Sequence, residues 1–275
     1  MIPGPEEAVL LRLARPAAAG GGPLRVLLVH GLAGGAAVWD RFVERAHPGC
    51  ELWTADLPWR GAGVPGWPDR PPHEWIEEAV GRLPHRPDVI VGHSFGAGAV
   101  LAWLARSATA GRQPRGAALV SPFYRAHQEM FDWDTLAYYL NHFDRILDDG
   151  LRVSSGGRLE GSLRRDMALK VRDRIGPYGW MRFFDQYLDT PRLPVERLSL
   201  PVQLIGGAED FASDPAEAAG LGRALPDARV GILPGVGHFS MVESADAFAG
   251  VLNGFLSTLT GRPRPDAPLP AMEHN

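Results

Sequence analysis

The chain has 275 residues, a formal net charge of −4 and 45% hydrophobic residues, which is ordinary for a globular protein with one large domain, with or without an insertion. This charge gives no long-range attraction to nucleic acid or to an anionic membrane, so neither is expected as a partner. A single cysteine, Cys50, excludes an intrachain disulfide framework and a multi-cysteine metal site.

The N-terminal segment does not resemble a secretory signal peptide. The apolar run at 8–11 is flanked by Glu7 and Arg12, and it lacks the basic segment and the uninterrupted apolar core that such signals contain. No stretch of the sequence is apolar for long enough to span a bilayer. We therefore expect the protein to be cytoplasmic.

Short apolar runs alternate with helical patterns along most of the chain. Strands are predicted at 24–29, 51–55, 89–91, 116–120, 202–205 and 229–233, and helices at 37–46, 73–83, 95–106, 215–225 and 245–259. This alternation predicts an α/β fold whose mostly parallel sheet is covered by helices on both faces. In such sheets functional residues collect beyond the carboxyl ends of the strands.

The alternation stops after residue 122 and resumes near residue 200. Residues 123–196 show helical spacing with many aromatic side chains, and Gly176-Pro177 interrupts them. We predict that 123–196 form a helical cap inserted into a core domain made of 1–122 and 197–260. The proline-rich segment 261–275 is predicted to be disordered.

The strand predicted at 89–91 leads directly into Gly92-His93-Ser94-Phe95-Gly96, and a run of small, helix-compatible residues follows. A serine at a sharp strand-to-helix turn is lifted clear of the backbone, and the glycines on either side relieve the crowding in that turn. Ser94 is therefore predicted to be a nucleophile. A serine hydroxyl needs a base to remove its proton, and the base needs a partner that holds the correct tautomer.

The last two predicted strands each end in a glycine-rich turn that carries a residue of the required type. Asp210 follows the first of these strands and His238 follows the second, so the chain order is Ser94, Asp210, His238. Because Glu209 is adjacent to Asp210, either carboxylate could face the imidazole, and the spacing from Gly207 favours Asp210.

Nucleophilic attack on an acyl carbon also needs two backbone N–H groups facing the developing oxyanion. Phe95, directly after the nucleophile, supplies one, and Leu32, in the glycine-rich loop that follows the first predicted strand, supplies the other. One such donor typically contributes about 3–4 kcal/mol of transition-state stabilisation. Within the same motifs, His30 is expected to brace the oxyanion loop and His93 to pack beneath the turn.

With these motifs the chain resembles a serine-dependent member of the α/β-hydrolase superfamily. The resemblance rests on the His-Gly loop at 30–31, the turn at 92–96, the acid turn at 207–210 and the histidine turn at 237–238. It implies an α/β-hydrolase fold with nucleophile Ser94, general base His238, orienting acid Asp210, and oxyanion donors Leu32 and Phe95. It also implies the capped branch of the superfamily, with no metal and no organic cofactor.

One loop departs from the family pattern. Where the family often has Asp-x-x-Gly-x-Gly, this chain has Trp59 in place of the first glycine. Trp59 and Arg60 are therefore predicted to border the substrate pocket, and the further pocket candidates are Phe123, Trp133, Tyr138 and Phe183. Since a cap must roof the cavity that it encloses, at least two of its aromatic side chains are expected to touch substrate.

Three functions remain open at this point. The leading one is hydrolysis of a carboxylic ester or thioester through an acyl-enzyme, with a small-molecule acyl substrate, free or bound to a carrier protein. The basic residues between 152 and 174 would dock such a carrier, although they also fit a solvated helix face. The second function is acyl release, cyclisation or elimination in natural-product biosynthesis, and the third is ligand binding without turnover.

Overall fold

The computed structural model describes residues 8–18, 22–107 and 113–260, and the predicted disordered tail at 261–275 lies outside these ranges. Within them, seven strands form one sheet in the order β1-β3-β2-β4-β5-β6-β7. The strands are β1 (Leu10–Arg15), β2 (Leu24–Val29), β3 (Cys50–Asp56), β4 (Val89–His93), β5 (Gly116–Val120), β6 (Val202–Gly207) and β7 (Ala228–Leu233). All pairs are parallel except β1 with β3, which confirms the predicted mostly parallel sheet.

β1 is the one strand of this sheet that the sequence patterns do not predict. It lies at the edge of the sheet, antiparallel to β3, and its register shifts between Leu13 and Arg15. Leu10 and Leu13 are both largely exposed, so the strand lacks the continuous buried apolar run that identifies the central parallel strands.

Eight helices surround the sheet in the described part of the chain. They are α1 (Asp40–Arg45), α2 (Pro72–Arg82), α3 (Phe95–Ser107), α4 (Trp133–Ser154), α5 (Gly161–Leu188), α6 (Pro215–Ala224), α7 (Ser240–Glu243) and α8 (Ala245–Leu259). The helix predicted at 37–46 is a 3-10 turn, Ala36–Trp39, followed by α1. None of the helices in the described ranges has the length and hydrophobicity needed to cross a lipid bilayer.

Two apolar layers hold the helices against the sheet. Alternate residues of β2 point to opposite faces: Leu27 and Val29 pack in one cluster, and Val26 and Leu28 in the other. This alternation is the two-residue period of a strand, and it explains why a strand covered on both faces is apolar at every position.

The segment predicted to be a cap contains α4 and α5. The two helices pack against each other, and Phe143 and Leu147 of α4 share a small core with Ala168 and Ile175 of α5. α5 bends at Gly176, whose φ of 68° is left-handed, and proline follows at the next position. The glycine–proline pair therefore permits the change of direction between the two halves of α5.

A buried polar network joins α5 and the segment after β5 to α6. Glu217 of α6 accepts a hydrogen bond from the backbone N–H of Tyr124 at 2.7 Å and another from the Tyr187 hydroxyl of α5. Arg125 lies 3.8 Å from the same carboxylate and donates to the Tyr187 hydroxyl at 2.9 Å. Burial raises the pKa of Glu217 to about 7, although the three neighbouring groups act in the opposite direction.

This raised pKa predicts a pH-dependent stability. The folded protein holds the Glu217 proton more tightly than the unfolded chain does. Protonated Glu217 therefore contributes fully to the free energy of unfolding below the usual pKa of 4.5, and this contribution is lost as the pH rises to about 7. The change amounts to about 3 kcal/mol at most. We expect urea unfolding between pH 5 and pH 8 to show this loss in the wild type and not in Glu217→Gln, with the exposed Glu129→Gln as control. Parallel pH profiles for wild type and Glu217→Gln would contradict the prediction.

Candidate active site

Ser94 lies in the turn between β4 and α3, where its φ of 56° is left-handed. A Cβ added at Gly92 would lie 2.8 Å from the Cα of Ala97, and one at Gly96 would lie 2.3 Å from the carbonyl oxygen of His30. Both distances are too short for any side chain, so glycine is required two residues before and two residues after the serine. The turn thereby exposes the Ser94 hydroxyl at the carboxyl end of the central strand.

This crowding predicts a large loss of stability for Gly96→Ala. The new methyl group would collide with backbone that cannot rotate away, so we expect the free energy of unfolding to fall by about 3 kcal/mol. Gly254→Ala is the matched control, because Gly254 lies in α8 and a methyl group added there would meet only open space. There alanine should raise stability by about 0.5–1 kcal/mol. Urea unfolding of both variants measures these two changes in the free energy of unfolding. Equal changes in the two variants would contradict the prediction.

Ser94, His238 and Asp210 form a continuous hydrogen-bonded chain. The Ser94 hydroxyl lies 2.9 Å from Nε2 of His238, and Nδ1 of His238 lies 2.9 and 3.0 Å from the two carboxylate oxygens of Asp210. Because a carboxylate only accepts, Nδ1 carries the proton and Nε2 is left to accept the serine proton. His238 and Asp210 are both buried.

Asp210 is held by its own turn. One of its carboxylate oxygens accepts the backbone N–H groups of Ala212 and Ser213, each at 2.9 Å. Burial favours the neutral acid, but the neighbouring His238 and these hydrogen bonds outweigh burial, and they hold the pKa of Asp210 below its usual value. The adjacent Glu209 is exposed. Of the two carboxylates, Asp210 is therefore the one that contacts His238.

The backbone of the histidine turn is fixed by two buried side chains from neighbouring strand ends. The His238 carbonyl accepts a hydrogen bond from Nε2 of His93 at 3.0 Å and a longer one from the Ser121 hydroxyl at 3.4 Å. Burial and the nearby His238 lower the pKa of His93 to about 3. His93 is therefore a neutral donor packed beneath the turn, in agreement with the expectation from the sequence.

The loop after β2 lies directly against the nucleophile. A Cβ at Gly31 would lie 3.0 Å from the Cβ of Ser94, so only glycine allows this approach. His30 braces the loop, since its Nδ1 donates to the Gly31 carbonyl at 2.8 Å and its Nε2 accepts the Leu57 N–H at 2.9 Å. Within the described residues, the backbone N–H groups of Leu32 and Phe95 have no intramolecular acceptor. Two donors are thus available beside Ser94, one of them at a helix N-terminus.

Trp59 and Arg60 do not border the pocket, contrary to the prediction. Trp59 is fully buried, its indole N–H donates to the His30 carbonyl at 3.2 Å, and its ring packs edge-on against Phe95 at 5.2 Å. The Arg60 guanidinium donates to the carbonyl of Ala8 at 2.9 Å, and neither side chain lines the cavity above Ser94. The tryptophan that replaces the family glycine therefore supports the loop after β2 and does not line the cavity above Ser94.

Trp133 and Tyr138 also lie outside the cavity, which corrects two further predictions. Trp133 begins α4 and is 84% exposed. Tyr138 stacks on His142 and donates its hydroxyl to the Phe211 carbonyl at 2.6 Å, so it anchors α4 to the acid turn. The face of α4 that lines the cavity is instead the one that carries Phe143.

A cavity of about 500 Å³ lies between the cap helices and Ser94. Of the six predicted pocket residues, Phe123 and Phe183 line it. Trp180 of α5, which belongs to the wider set of aromatic residues expected to touch substrate, also lines it. The predictions missed Phe239 beside His238 and a stripe along α4 at Phe143, Ile146, Leu147, Gly150, Leu151 and Ser154. The residues of that stripe recur every three or four positions, which marks one face of a helix. This spacing is visible in the sequence and could have identified them.

Comparisons with known proteins agree on the fold. A family model described as the alpha/beta hydrolase family matches residues 26–251. A hydrolase from Pseudomonas aeruginosa PA01 is 23% identical, covers 90% of this chain and 94% of its own, and superposes with a TM-score of 0.66. The enol-lactonase from Burkholderia xenovorans LB400 is 20% identical, with 90% and 96% coverage and a TM-score of 0.63. An esterase from Rhodococcus sp. ECU1013 is 18% identical, with 91% and 95% coverage and a TM-score of 0.62.

At sequence identities of 18–23%, the structural similarity shows only that the fold is shared. No curated protein matches the sequence. Among the described residues, no group of three or more His, Cys, Asp or Glu side chains is arranged to hold a metal ion. The chemistry of this site must therefore be argued from its own residues.

Proposed function

The chain belongs to the α/β-hydrolase family, and from that premise we propose that it hydrolyses carboxylic esters or thioesters through an acyl-enzyme on Ser94. The observation that carries the proposal is the 2.9 Å hydrogen bond between the Ser94 hydroxyl and Nε2 of His238, with Asp210 on the opposite nitrogen. A serine in this arrangement can lose its proton to the imidazole as it attacks an acyl carbon.

The proposed reaction proceeds in two steps. In the first, Nε2 of His238 takes the Ser94 proton while the serine oxygen bonds to the acyl carbon, and the Leu32 and Phe95 N–H groups hold the oxyanion. The imidazolium then gives its proton to the departing alcohol or thiol. In the second step, His238 removes a proton from water, the resulting hydroxide attacks the acyl-enzyme, and the carboxylic acid leaves as Ser94 regains its proton.

Asp210 has a supporting role in this scheme. Its carboxylate accepts the Nδ1 proton of His238, which keeps the imidazole in the tautomer that can accept from Ser94 and stabilises the imidazolium when it forms. The lowered pKa of Asp210 keeps this carboxylate ionised at neutral pH.

A serine-directed fluorophosphonate tests the proposal against the alternatives of the same fold. We expect one covalent adduct by intact mass, located at Ser94 by peptide mapping, together with turnover of simple p-nitrophenyl esters. A folded protein without an adduct would instead favour ligand binding without catalysis. For turnover of a native substrate, oxygen-18 from water should enter the acid product, whereas elimination or cyclisation would leave the product unlabelled.

Presentation of the substrate by a carrier protein is the alternative form of this proposal. Among the basic residues between 152 and 174, Arg152 pairs with Asp149 at 2.6 Å and Arg164 pairs with Asp148 at 2.8 Å. The first pair lies within α4 and the second joins α5 to α4, so the protein's own carboxylates already neutralise both charges, which favours the simpler interpretation, a solvated face. A free small-molecule ester or thioester is therefore the substrate form to test first.

A further inference from the structure

We propose that the substrate is an ester or thioester of a medium-length aliphatic acid, whose chain lies in the enclosed apolar end of the cavity under α4 and α5. The inference rests on the proposed function, because it assigns the acyl half of the substrate to one end of the same cavity. The features that carry it are an aromatic wall, exposed polar side chains at the opposite end and the cavity volume.

Three stacked rings form the wall of the enclosed end. The Phe143 and Trp180 rings have centroids 3.5 Å apart with planes at 20°, and Trp180 stacks in turn on Phe183 at 4.8 Å and 8°. Phe123 closes this end, with its ring 5.0 Å from Phe183 and 6.1 Å from His238. The rings cover one another's faces, and together they give this end of the cavity an apolar lining, which suits a hydrocarbon chain.

The opposite end of the cavity carries exposed polar side chains. Its lining there includes Asp40, Arg41 and Ser154, all exposed, together with Val38 and Val242. The Arg41 guanidinium donates to the Val242 carbonyl at 2.7 Å, which fixes it at the rim. Charged groups at this end would cost free energy to cover with a hydrocarbon chain, whereas they tolerate a polar leaving group and water.

The order of the chemical steps assigns the acyl chain to the enclosed end. The alcohol or thiol must leave, and water must reach His238, while the acyl group is still bonded to Ser94. A leaving group on the side of the open mouth can exchange with water at that stage. The acyl chain has to stay bound throughout, so it belongs at the closed end formed by Phe123 and the aromatic wall.

Close contact between α4 and Phe239 bounds the cavity beside His238. A Cβ at Gly150 of α4 would lie 2.9 Å from the ring of Phe239, the residue that follows His238. The helix therefore packs directly against that ring and leaves no room for substrate between them.

The volume sets the expected length. A methylene group occupies about as much space as a water molecule in the liquid, roughly 30 Å³. A cavity of about 500 Å³ must also admit the leaving group and the attacking water. A chain of about eight to ten carbons, or roughly 240–300 Å³, leaves room for both.

A series of p-nitrophenyl esters from acetate to dodecanoate tests this assignment, because it varies only the acyl chain. We expect kcat/KM to rise about fourfold per methylene up to about eight to ten carbons and then to fall. Leu147→Trp places a larger ring in the cavity from α4. It should lower kcat/KM for the octanoate ester by about tenfold or more and leave the acetate ester nearly unchanged.

Leu140→Trp is the matched control, since Leu140 lies on the same helix and is 59% exposed. Its chain-length profile should equal that of the wild type. A flat profile in the wild type, or a Leu147→Trp variant that loses activity equally on all esters, would overturn the assignment while leaving hydrolysis at Ser94 intact.

Binding of the product provides a measurement that does not depend on turnover. Decanoate should bind to Ser94→Ala in calorimetry, and adding Leu147→Trp should weaken that binding by about tenfold. Failure of the proposed function would remove ester turnover and the fluorophosphonate adduct, but it would not remove decanoate binding. Absence of decanoate binding to the folded variant would overturn the acyl-chain assignment itself.

Discussion

Replacing Ser94 by alanine is expected to lower kcat for ester hydrolysis by about 10⁶-fold, because the groups of such a site act as a unit and the covalent step is lost with the hydroxyl. The residual rate should come from the oxyanion donors and substrate binding alone. Stability should change little, since alanine keeps the Cβ of serine and loses only the hydroxyl, and the glycines at 92 and 96 that the close contacts require are retained. Steady-state kinetics with p-nitrophenyl butyrate and urea unfolding measure the two quantities.

Ser257→Ala is a suitable control for this loss. Ser257 lies on α8, is exposed, and donates to the Asn253 carbonyl at 2.8 Å. Its removal should leave kcat unchanged. A Ser94→Ala variant that is folded and keeps kcat within about tenfold of the wild type would exclude a covalent serine mechanism.

Asp210→Asn is expected to lower kcat by about 10⁴-fold while leaving KM and the fold nearly unchanged. The amide of asparagine can donate to Nδ1 of His238, which favours the opposite tautomer and turns Nε2 into a donor that cannot accept the Ser94 proton. The neutral side chain also removes the charge that stabilises the imidazolium. Steady-state kinetics with the series of p-nitrophenyl esters measure kcat and KM of this variant.

Glu209→Gln is the matched control for the acid, because it removes one carboxylate from the adjacent position. Glu209 is exposed whereas Asp210 is 5% exposed and contacts the imidazole. We expect kcat for Glu209→Gln to stay within about twofold of the wild type. If Glu209→Gln lost as much activity as Asp210→Asn, the acid would have been assigned to the wrong carboxylate.

Most of the sheet was predictable because buried parallel strands are apolar at every position. β2, β4 and β5 lie in the middle of the sheet with both faces covered, and their apolar runs mark them without any knowledge of the fold. β1 was not predictable in this way, because its six residues mix three leucines with two arginines and none of them is fully buried.

The substrate cavity was predictable only in part. Aromatic residues of the cap include some that roof the cavity, such as Trp180, and others that are exposed, such as Trp133. Which face of α4 is turned toward Ser94 depends on packing against α5 and the acid turn, and those contacts come from residues distant in the chain. Amino-acid composition alone cannot distinguish the aromatic residues that line the cavity from those that are exposed.

By itself the sequence determined the fold class and the order of Ser94, Asp210 and His238, since each residue lies in a short turn whose glycines specify its backbone locally. Only the tertiary structure decided the rest. It placed Trp59 against the loop after β2, brought His93 to the His238 carbonyl, and shaped the cavity under α4 and α5. The physical reason is that a turn is specified by neighbouring residues, whereas a cavity is the space left between surfaces that meet only when the whole chain has folded.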